Sequence, residues 1–270
     1  MTDTLHVPLA QTEGGDIHYE ESGGGAVLAM LLPQSGGPGG VRLFHDRLAE
    51  RFRVIRHDQR GTGRRTPVAV PSGTTMAGCA AELAELFDAL GIDRAHLFCH
   101  STGCGIGLSL AAACPDRVAG LILVNPWSHS DAHLTAMQGL RVAAARALDP
   151  YRYAWFNASL LFPPDYRRAH AEAFEALARN AAPQDADRIE DRLKAILAFD
   201  ARPLAPGLTC PTLVVTAADD QLMPPWFGAE LAALIPGATH RALDGGGHML
   251  PETRGGALAN TVADFLDTVA

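Results

Sequence analysis

Six short runs of apolar residues recur along the chain, and most of them would be apolar on both faces of an extended strand. The runs are AVLAMLL (26–32), FRVIRH (52–57), AHLFC (95–99), GLILVN (120–125), PTLVVT (211–216) and HRAL (240–243). A strand of this kind is covered on both sides, which is typical of a parallel sheet with helices packed above and below it. The pattern therefore predicts an α/β fold with a mostly parallel central sheet.

The segments between the early strands have the periodicity of helices. In residues 77–90 the apolar positions lie three or four residues apart, at Leu83, Leu86, Phe87 and Leu90. This spacing places them on one stripe that can face a sheet. Gly91 follows, and glycine commonly ends a helix. We therefore expect a helix over 77–90 that packs against the strands.

The alternation of strands and helices stops after Asn125. Residues 126–208 contain no convincing strand, but two amphipathic patterns are clear. One spans 165–179, and the other starts near Pro183 and carries a stripe of Ile189, Leu193, Ile196 and Leu197. We expect a core formed by 1–125 and 209–270, with 126–208 inserted as a helical cap over the site. The alternative is that these helices only add to the core.

Composition and charge exclude several classes of function. The 270 residues carry a formal net charge of −8 and contain no dense run of Lys or Arg, which argues against a nucleic-acid partner. No apolar stretch reaches the roughly 20 residues that a membrane span requires, and the first residues do not resemble a signal peptide. The sequence predicts a cytoplasmic protein whose partner is a small-molecule substrate. A homodimer is compatible with the pattern, but nothing requires it.

The five cysteines are odd in number and scattered, which predicts buried free thiols rather than a disulfide framework. Cys99 and Cys104 do not have the C-x-x-C spacing, and no second Cys/His pair completes a set of four ligands. His, Asp and Glu residues likewise show no metal-binding motif such as H-E-x-x-H. We expect no metal site.

A serine stands where one buried strand meets a helix-like segment. In LFCHSTGCG (97–105) the strand runs into Ser101, and the helix pattern IGLSLAAACP follows. This arrangement predicts a nucleophile elbow, a strained turn that exposes the serine near the amino end of a helix. The neighbours two positions before and after must be small, and they are Cys99 and Gly103. Ser101 is therefore the candidate nucleophile.

Two later loops offer the partners that a serine nucleophile needs. Asp219 and Asp220 follow the strand PTLVVT, and His248 lies in the glycine-rich segment after HRAL. A serine hydroxyl needs an imidazole to accept its proton, and a carboxylate fixes the tautomer of that imidazole. The chain order Ser101, Asp220, His248 is the order expected for this kind of fold. Asp220 is preferred because it lies four residues before Pro224, but Asp219 stays an alternative.

A glycine-rich loop, LLPQSGGPGG (31–40), directly follows the first strongly apolar run. The backbone N–H groups of Gly37 and Thr102 are candidates for an oxyanion hole that stabilises a tetrahedral intermediate. The alternatives are a phosphate cradle or a plain turn. Nucleotide binding is disfavoured, because both G-x-x-x-x-G-K-[ST] and a G-x-G-x-x-G opening a helix are absent.

The combination of QSGGPGG, HDQRGTGRR, CHSTGC, AADDQLMPP and GGGHML resembles the α/β-hydrolase superfamily over nearly the whole chain. The resemblance implies that Asp58, Arg60, Gly61 and Gly63 build a loop rather than act in catalysis. The chain departs from the family at two places. Ser35 and Gly36 stand in place of the usual His-Gly, and Cys99 replaces the elbow glycine.

Within the superfamily, DQRGTG, SGGPGG and NPW resemble the RutD-like aminoacrylate hydrolases of pyrimidine degradation. That likeness implies a small acyl, carbamoyl or enamine substrate and no cofactor. Ser101 also fits an esterase or an enol-lactone hydrolase. The alternatives on this fold are a cofactor-free perhydrolase, a hydrolase that activates water directly, and a ligand-binding receptor.

Several further residues are candidates to line a substrate pocket. They are Ser35, Gly36, His100, Trp127, Phe156 and Phe162. For the three aromatic residues the alternative is the core of the cap, and for His100 it is a packing or hydrogen-bonding role.

Overall fold

Eight strands form one sheet in residues 8–32, 36–60 and 73–269, the part of the chain that the computed structural model describes. They are β1 (Leu9–Ala10), β2 (Ile17–Ser22), β3 (Val27–Leu31), β4 (Arg53–His57), β5 (Ala95–His100), β6 (Val118–Val124), β7 (Thr212–Ala217) and β8 (Thr239–Leu243). The strand order is β1-β2-β4-β3-β5-β6-β7-β8. Strands β1 and β2 are antiparallel to their neighbours, and β3 to β8 are parallel. The predicted mostly parallel sheet is confirmed.

Each of the six predicted apolar runs overlaps one of the parallel strands. β5 shows why these runs are apolar at consecutive positions, because all six of its residues are buried. Leu97 and Cys99 belong to the apolar cluster on one face of the sheet, and Phe98 belongs to the cluster on the other face. A strand covered on both faces favours apolar side chains at consecutive positions, and the two polar residues of β5, His96 and His100, are buried as well.

Eleven α-helices occur in the described residues. They are α1 (Arg42–Ala49), α2 (Met76–Ala89), α3 (Thr102–Ala113), α4 (Ala132–Ala147), α5 (Pro150–Leu161), α6 (Pro164–Ala169), α7 (Ala171–Arg179), α8 (Ala186–Ala198), α9 (Pro225–Leu234), α10 (Leu250–Thr253) and α11 (Gly255–Val269). Helices α1 and α11 pack together on one face of the sheet, while α2, α3 and α9 contribute to the apolar cluster on the other. None of the helices in these ranges is long and apolar enough to cross a membrane.

Five of the helices, α4 to α8, lie between β6 and β7, and this segment contains no strand. Asp131, Asp149 and Asp185 cap α4, α5 and α8, each accepting a hydrogen bond from a backbone N–H in the first turn of its helix. The pattern over 165–179 corresponds to two helices, α6 and α7, because the backbone leaves the helical conformation at His170 (φ −117°, ψ 28°).

Candidate active site

Ser101 occupies a sharp turn between β5 and α3. Its backbone has φ 54° and ψ −121°, a left-handed conformation that is rare for a residue with a side chain. The Ser101 N–H donates to the carbonyl of Val124 at 3.0 Å, and its carbonyl accepts the N–H of Cys104 at 2.8 Å. A side chain at Gly103 would overlap the carbonyl oxygen of Leu31. The turn is therefore held by a hydrogen bond to β6 on one side and by a hydrogen bond from α3 on the other.

The cysteine in place of the elbow glycine is accommodated by a second glycine. A Cβ atom at Gly107, one turn along α3, would overlap the sulfur of Cys99. The Cys99 side chain is thus packed into the space that Gly107 leaves open. Burial raises the pKa of the thiols of Cys99 and Cys104, so both are protonated near neutral pH and neither is an activated nucleophile.

Ser101, His248 and Asp220 form a continuous chain of hydrogen bonds. Ser101 Oγ lies 2.8 Å from His248 Nε2, and His248 Nδ1 lies 2.7 Å from Asp220 Oδ2. The other carboxylate oxygen, Oδ1 of Asp220, accepts the N–H groups of Leu222 and Met223 at 2.9 Å each. All three side chains are buried. An Nδ1–H that donates to the carboxylate leaves Nε2 free to accept the proton of the serine hydroxyl.

Asp219, the alternative carboxylate, makes different contacts. Its two oxygens accept the backbone N–H groups of Gly246 and Gly247 at 3.3 and 2.7 Å. The structure therefore places Asp220 against the imidazole, and Asp219 against the backbone of the loop that carries His248. Adjacent carboxylates thus contact different parts of the same loop.

Asn125 and His100 hold the loop that carries His248, because both side chains form hydrogen bonds with its backbone carbonyls. Asn125, fully buried at the end of β6, donates from Nδ2 to the carbonyls of Gly247 (3.1 Å) and His248 (3.0 Å), and its Oδ1 accepts the N–H of Ala217. His100 Nε2 lies 2.7 Å from the His248 carbonyl and must be the donor, because a carbonyl oxygen only accepts. Burial, and to a smaller extent the neighbouring His248, lowers the pKa of His100 to about 3, so the ring is neutral near neutral pH.

The two predicted oxyanion donors lie in different environments. Thr102 is the first residue of α3, where a backbone N–H has no acceptor within the helix, and it lines the cavity beside Ser101. The N–H of Gly37 instead donates to Glu252 Oε2 at 2.7 Å. Gly37 is therefore not placed as an oxyanion donor in this conformation, because its N–H already donates to a carboxylate. Ser35, predicted as a residue of the substrate pocket, lies outside the described residues.

A cavity of about 330 Å³ opens at Ser101. Residues 126–208 contribute Arg141, Leu161, Arg192, Leu193 and Ile196 to its wall. The core contributes Ser101, Thr102, His248 and His57, together with apolar residues that include Met30, Leu31, Ile106, Leu222 and Met249. The wall also contains charged groups of the core, Glu20, Arg56 and Asp58, so apolar and polar side chains are mixed around the cavity. Polar groups placed in such a wall fix the orientation of a small-molecule ligand.

The aromatic residues expected in the pocket do not line the cavity at Ser101. Trp127 is fully buried, and its Nε1–H donates to the carbonyl of Ile196 at 3.2 Å. Phe162 packs against Tyr166 within the helical segment, and Phe156 stacks on Tyr153 at 6.3 Å. The rings of Trp127 and Phe162 are buried in the apolar core, and that of Phe156 is half-buried.

Gly36 and His100 were also expected in the pocket, and both lie outside its wall. His100 stands behind the loop that carries His248, where its ring supports that loop rather than a substrate. Gly36 is exposed at the start of the loop whose next residue is bound by Glu252.

The two cavity arginines were missed by sequence reasoning. In α4, Arg141 continues a buried stripe that includes Leu134, Gln138 and Ala145. In α8, Arg192 lies three residues after Ile189 and four before Ile196, also on the apolar stripe. A charged residue on a stripe otherwise directed inward was the signal that could have identified them. In the described ranges no group of three or more His, Cys, Asp or Glu side chains is placed to hold a metal ion.

Comparisons with known proteins match most of the chain. A family model for the alpha/beta hydrolase fold matches residues 30–254. A protein of Caulobacter sp. (strain K31) named "Putative carbamate hydrolase RutD" is 34% identical over 257 residues, 93% of this chain and 95% of its own. A protein of Variovorax paradoxus (strain S110) with the same name is 34% identical over 262 residues, 94% of this chain and 97% of its own.

Solved structures agree with this relationship. The crystal structure of the enol-lactonase from Burkholderia xenovorans LB400 is 28% identical, with a TM-score of 0.81 that covers 96% of this chain and all of that one. The resemblance to the superfamily, and within it to RutD-like and enol-lactone hydrolases, is confirmed by these matches.

Proposed function

The chain belongs to the α/β-hydrolase family and is a hydrolase of that superfamily, and from this we propose that it is a cofactor-independent serine hydrolase. Ser101 is the nucleophile, His248 the general base and then acid, and Asp220 the carboxylate that orients His248. The observation that carries the proposal is the hydrogen-bonded chain from Ser101 Oγ through His248 to Asp220, at 2.8 and 2.7 Å, beside a cavity.

The reaction follows from the positions of the protons. Ser101 Oγ attacks the carbonyl carbon of the substrate while its proton passes to His248 Nε2, and Asp220 stabilises the imidazolium that results. The Thr102 N–H stabilises the negative oxygen of the tetrahedral intermediate. His248 then gives its proton to the leaving group, and an ester of Ser101 forms. A water that loses its proton to His248 attacks this ester, which releases the acid and restores the serine hydroxyl.

The substrate is a small ester, lactone, amide or carbamate. Two observations support this class: the cavity is only about 330 Å³ in volume, and relatives are named carbamate hydrolase and enol-lactonase. Residues 126–208 act as the cap, since they supply one wall of the cavity over Ser101. Leu161, Leu193 and Ile196 form the apolar part of this wall and limit the access of water to the cavity. The water that hydrolyses the acyl-enzyme reacts beside His248.

Labelling with a fluorophosphonate tests the nucleophile. We expect intact mass spectrometry to show one adduct on the wild-type protein, which peptide mapping places on Ser101. Ser101→Ala and His248→Ala should abolish the adduct.

The matched control is Ser109→Ala, which removes another buried serine of α3 whose hydroxyl donates to the Gly105 carbonyl. This variant should label as fast as the wild type. An adduct that persists in Ser101→Ala would contradict the assignment. A folded protein without any adduct would favour direct activation of water, or a receptor that only binds its ligand.

A further inference from the structure

Only two non-glycine residues in the described ranges have a positive φ, and they follow two neighbouring strands, β5 and β6. Ser101 has φ 54°, and Asn125 has φ 47°. The N–H of Ser101 donates at 3.0 Å to the carbonyl of Val124, the residue directly before Asn125. A residue held in this sparsely populated region costs free energy, and such residues cluster at functional sites. The nucleophile turn explains Ser101, whereas Asn125 needs an explanation of its own.

The side chain of Asn125 is fully buried and uses all of its polar atoms on backbone groups. Its Oδ1 accepts the N–H of Ala217 at 3.0 Å, and its Nδ2 donates to the carbonyls of Gly247 and His248 at 3.1 and 3.0 Å. Since a carbonyl only accepts and a backbone N–H only donates, these partners fix the orientation of the amide. Asn125 is not among the residues that line the cavity, so it acts on the site through the backbone.

These contacts reach the segments that carry all three members of the triad. The residue before Asn125 holds the N–H of Ser101, and Asn125 itself holds the carbonyl of His248. Ala217 is the last residue of β7, and its carbonyl accepts the N–H of Asp220 at 3.3 Å. Two consecutive residues at the end of β6 therefore connect the backbones of the nucleophile, the general base and the strand that leads to the carboxylate.

Asparagine suits this position for two reasons. Its short amide offers one acceptor and two N–H donors, which match the N–H of Ala217 and the two carbonyls of the loop that carries His248. Asparagine also adopts a positive φ more readily than most residues that have a side chain. Aspartate would tolerate the same backbone but could only accept, and glycine would tolerate it without any side-chain contact. Substitution by these two residues therefore separates the role of the amide from that of the backbone.

We propose that Asn125 is a positioning residue that holds the catalytic triad at the distances that proton transfer requires. The proposal rests on the proposed serine-hydrolase function and deepens it, because it assigns the geometry of the triad to a side chain outside the triad. His248 lies 2.8 Å from Ser101 Oγ and 2.7 Å from Asp220 Oδ2, so a shift of its loop would lengthen one of these hydrogen bonds. A misplacement of about 1 Å can lower a rate about 10²-fold.

Two substitutions test the amide. Asn125→Asp keeps the size and the acceptor for the Ala217 N–H but loses both donors, and Asn125→Gly keeps the backbone conformation but loses the whole side chain. With enzyme in excess over p-nitrophenyl acetate, we expect the maximal rate of nitrophenol release to fall about 10- to 100-fold in both variants. The enzyme concentration that gives half of this rate should stay nearly unchanged, because Asn125 does not line the cavity. The loss should be smaller than in Asp220→Asn, since His100 also donates to the His248 carbonyl.

Asn125→Ala separates positioning from backbone strain. Alanine adopts a positive φ less easily than glycine, so the Tm of Asn125→Ala should be lower than that of Asn125→Gly. The two variants should nevertheless lose the same fraction of the acylation rate, because both lack the amide. A nearly wild-type rate in Asn125→Gly, with a large loss in Asn125→Ala, would show that only the backbone conformation matters, and the proposal would be wrong.

The matched control removes a different buried hydrogen bond from the same sheet. Thr212, at the other end of β7 from Ala217, is buried, and its Oγ1 donates to the carbonyl of Cys210 at 3.0 Å. Thr212→Val should lower the Tm but acylate at the wild-type rate. An equal loss of rate in Thr212→Val and Asn125→Gly would mean that any loss of stability slows the reaction, which would contradict the proposal.

The proton on His248 Nδ1 gives a measurement that does not depend on turnover. A proton in a short hydrogen bond between imidazole and carboxylate has a strongly deshielded NMR resonance, which Asp220→Asn should remove. We expect Asn125→Gly to shift or broaden this resonance and Thr212→Val to leave it unchanged. An unchanged resonance in Asn125→Gly would overturn the proposal. If a fluorophosphonate does not label Ser101 in the wild type but the resonance still changes in Asn125→Gly, positioning by Asn125 stands and only the serine mechanism fails.

Discussion

The backbone N–H of Gly37 donates to Oε2 of Glu252 across 2.7 Å. The other oxygen of this carboxylate accepts the N–H of Gly39 at 2.9 Å and the hydroxyl of Tyr166 at 3.0 Å. One side chain of α10 therefore holds the glycine-rich loop and a residue of α6 together. Because Gly37 is a predicted oxyanion donor, this contact bears directly on how the site works.

Replacing this carboxylate should affect stability more than chemistry. Glu252→Ala leaves three donors without their acceptor, so we expect the free energy of unfolding to fall by about 1–3 kcal/mol, measured by denaturant titration. We expect kcat/KM not to rise, because the other predicted oxyanion donor, Thr102, lines the cavity. A rise in kcat/KM would show instead that Gly37, once released from Glu252, serves as the second donor.

The adjacent aspartates allow a matched comparison. Asp220→Asn removes the acceptor that fixes the Nδ1–H tautomer of His248, and we expect kcat to fall by about 10⁴-fold. Asp219→Asn changes only a carboxylate that binds two backbone N–H groups of the loop. Its kcat should fall far less. Comparable losses in steady-state rates for the two variants would contradict the assignment of Asp220.

The sequence predicted the parallel part of the sheet well, because its strands are buried on both faces and their composition shows it. Strands β1 and β2 escaped prediction. β1 has only two residues, and β2 reads IHYEES, in which only Ile17 is buried. Both strands lie at one end of the sheet, where backbone pairing with neighbouring strands stabilises them rather than an apolar pattern.

Within the site, the residues fixed by local chain geometry could be predicted, and those fixed by packing between distant segments could not. Ser101 and His248 follow recognisable strand ends, so their motifs identify them. The contact of Gly37 with Glu252 joins segments far apart in the sequence, and no local pattern encodes it. The same holds for Arg141 and Arg192, which come together only when α4 packs against α8.

Cys99 and Gly107 share one space, so a second substitution at Cys99 should restore part of the stability that a substitution at Gly107 removes. Gly107→Ala places a methyl group where the sulfur of Cys99 lies, so overpacking should destabilise the protein by about 1–3 kcal/mol. Cys99→Gly removes the sulfur and restores the glycine usual in the family. The double variant should therefore be more stable than Gly107→Ala alone, as measured by Tm. Additive losses in the double variant would mean that the two positions do not share one space.

Two buried histidines predict how stability depends on pH. Burial lowers the pKa of His57 to about 4 and that of His100 to about 3. In the unfolded chain both titrate near 6.5, so between about pH 6.5 and these lower values the unfolded state binds more protons than the folded state. The contribution of these two histidines to the free energy of unfolding should therefore be complete above about pH 6.5. It should be lost progressively as the pH decreases below that value.

Each histidine contributes a slope of up to about 1.4 kcal/mol per pH unit in that window. His100→Gln removes one titrating group but keeps a side-chain amide that can donate to the His248 carbonyl. Urea unfolding at pH 7.5, 6, 5 and 4, at constant ionic strength, should give a shallower decline for this variant than for the wild type. His240→Gln is the matched control, since the ring of His240 lies on β8, where it pairs with the Thr216 hydroxyl at 3.0 Å. Parallel curves for the wild type and His100→Gln would mean that His100 takes up its proton over the same pH range in the folded and the unfolded protein. The pKa of His100 would then not be lowered by burial, which would contradict this prediction.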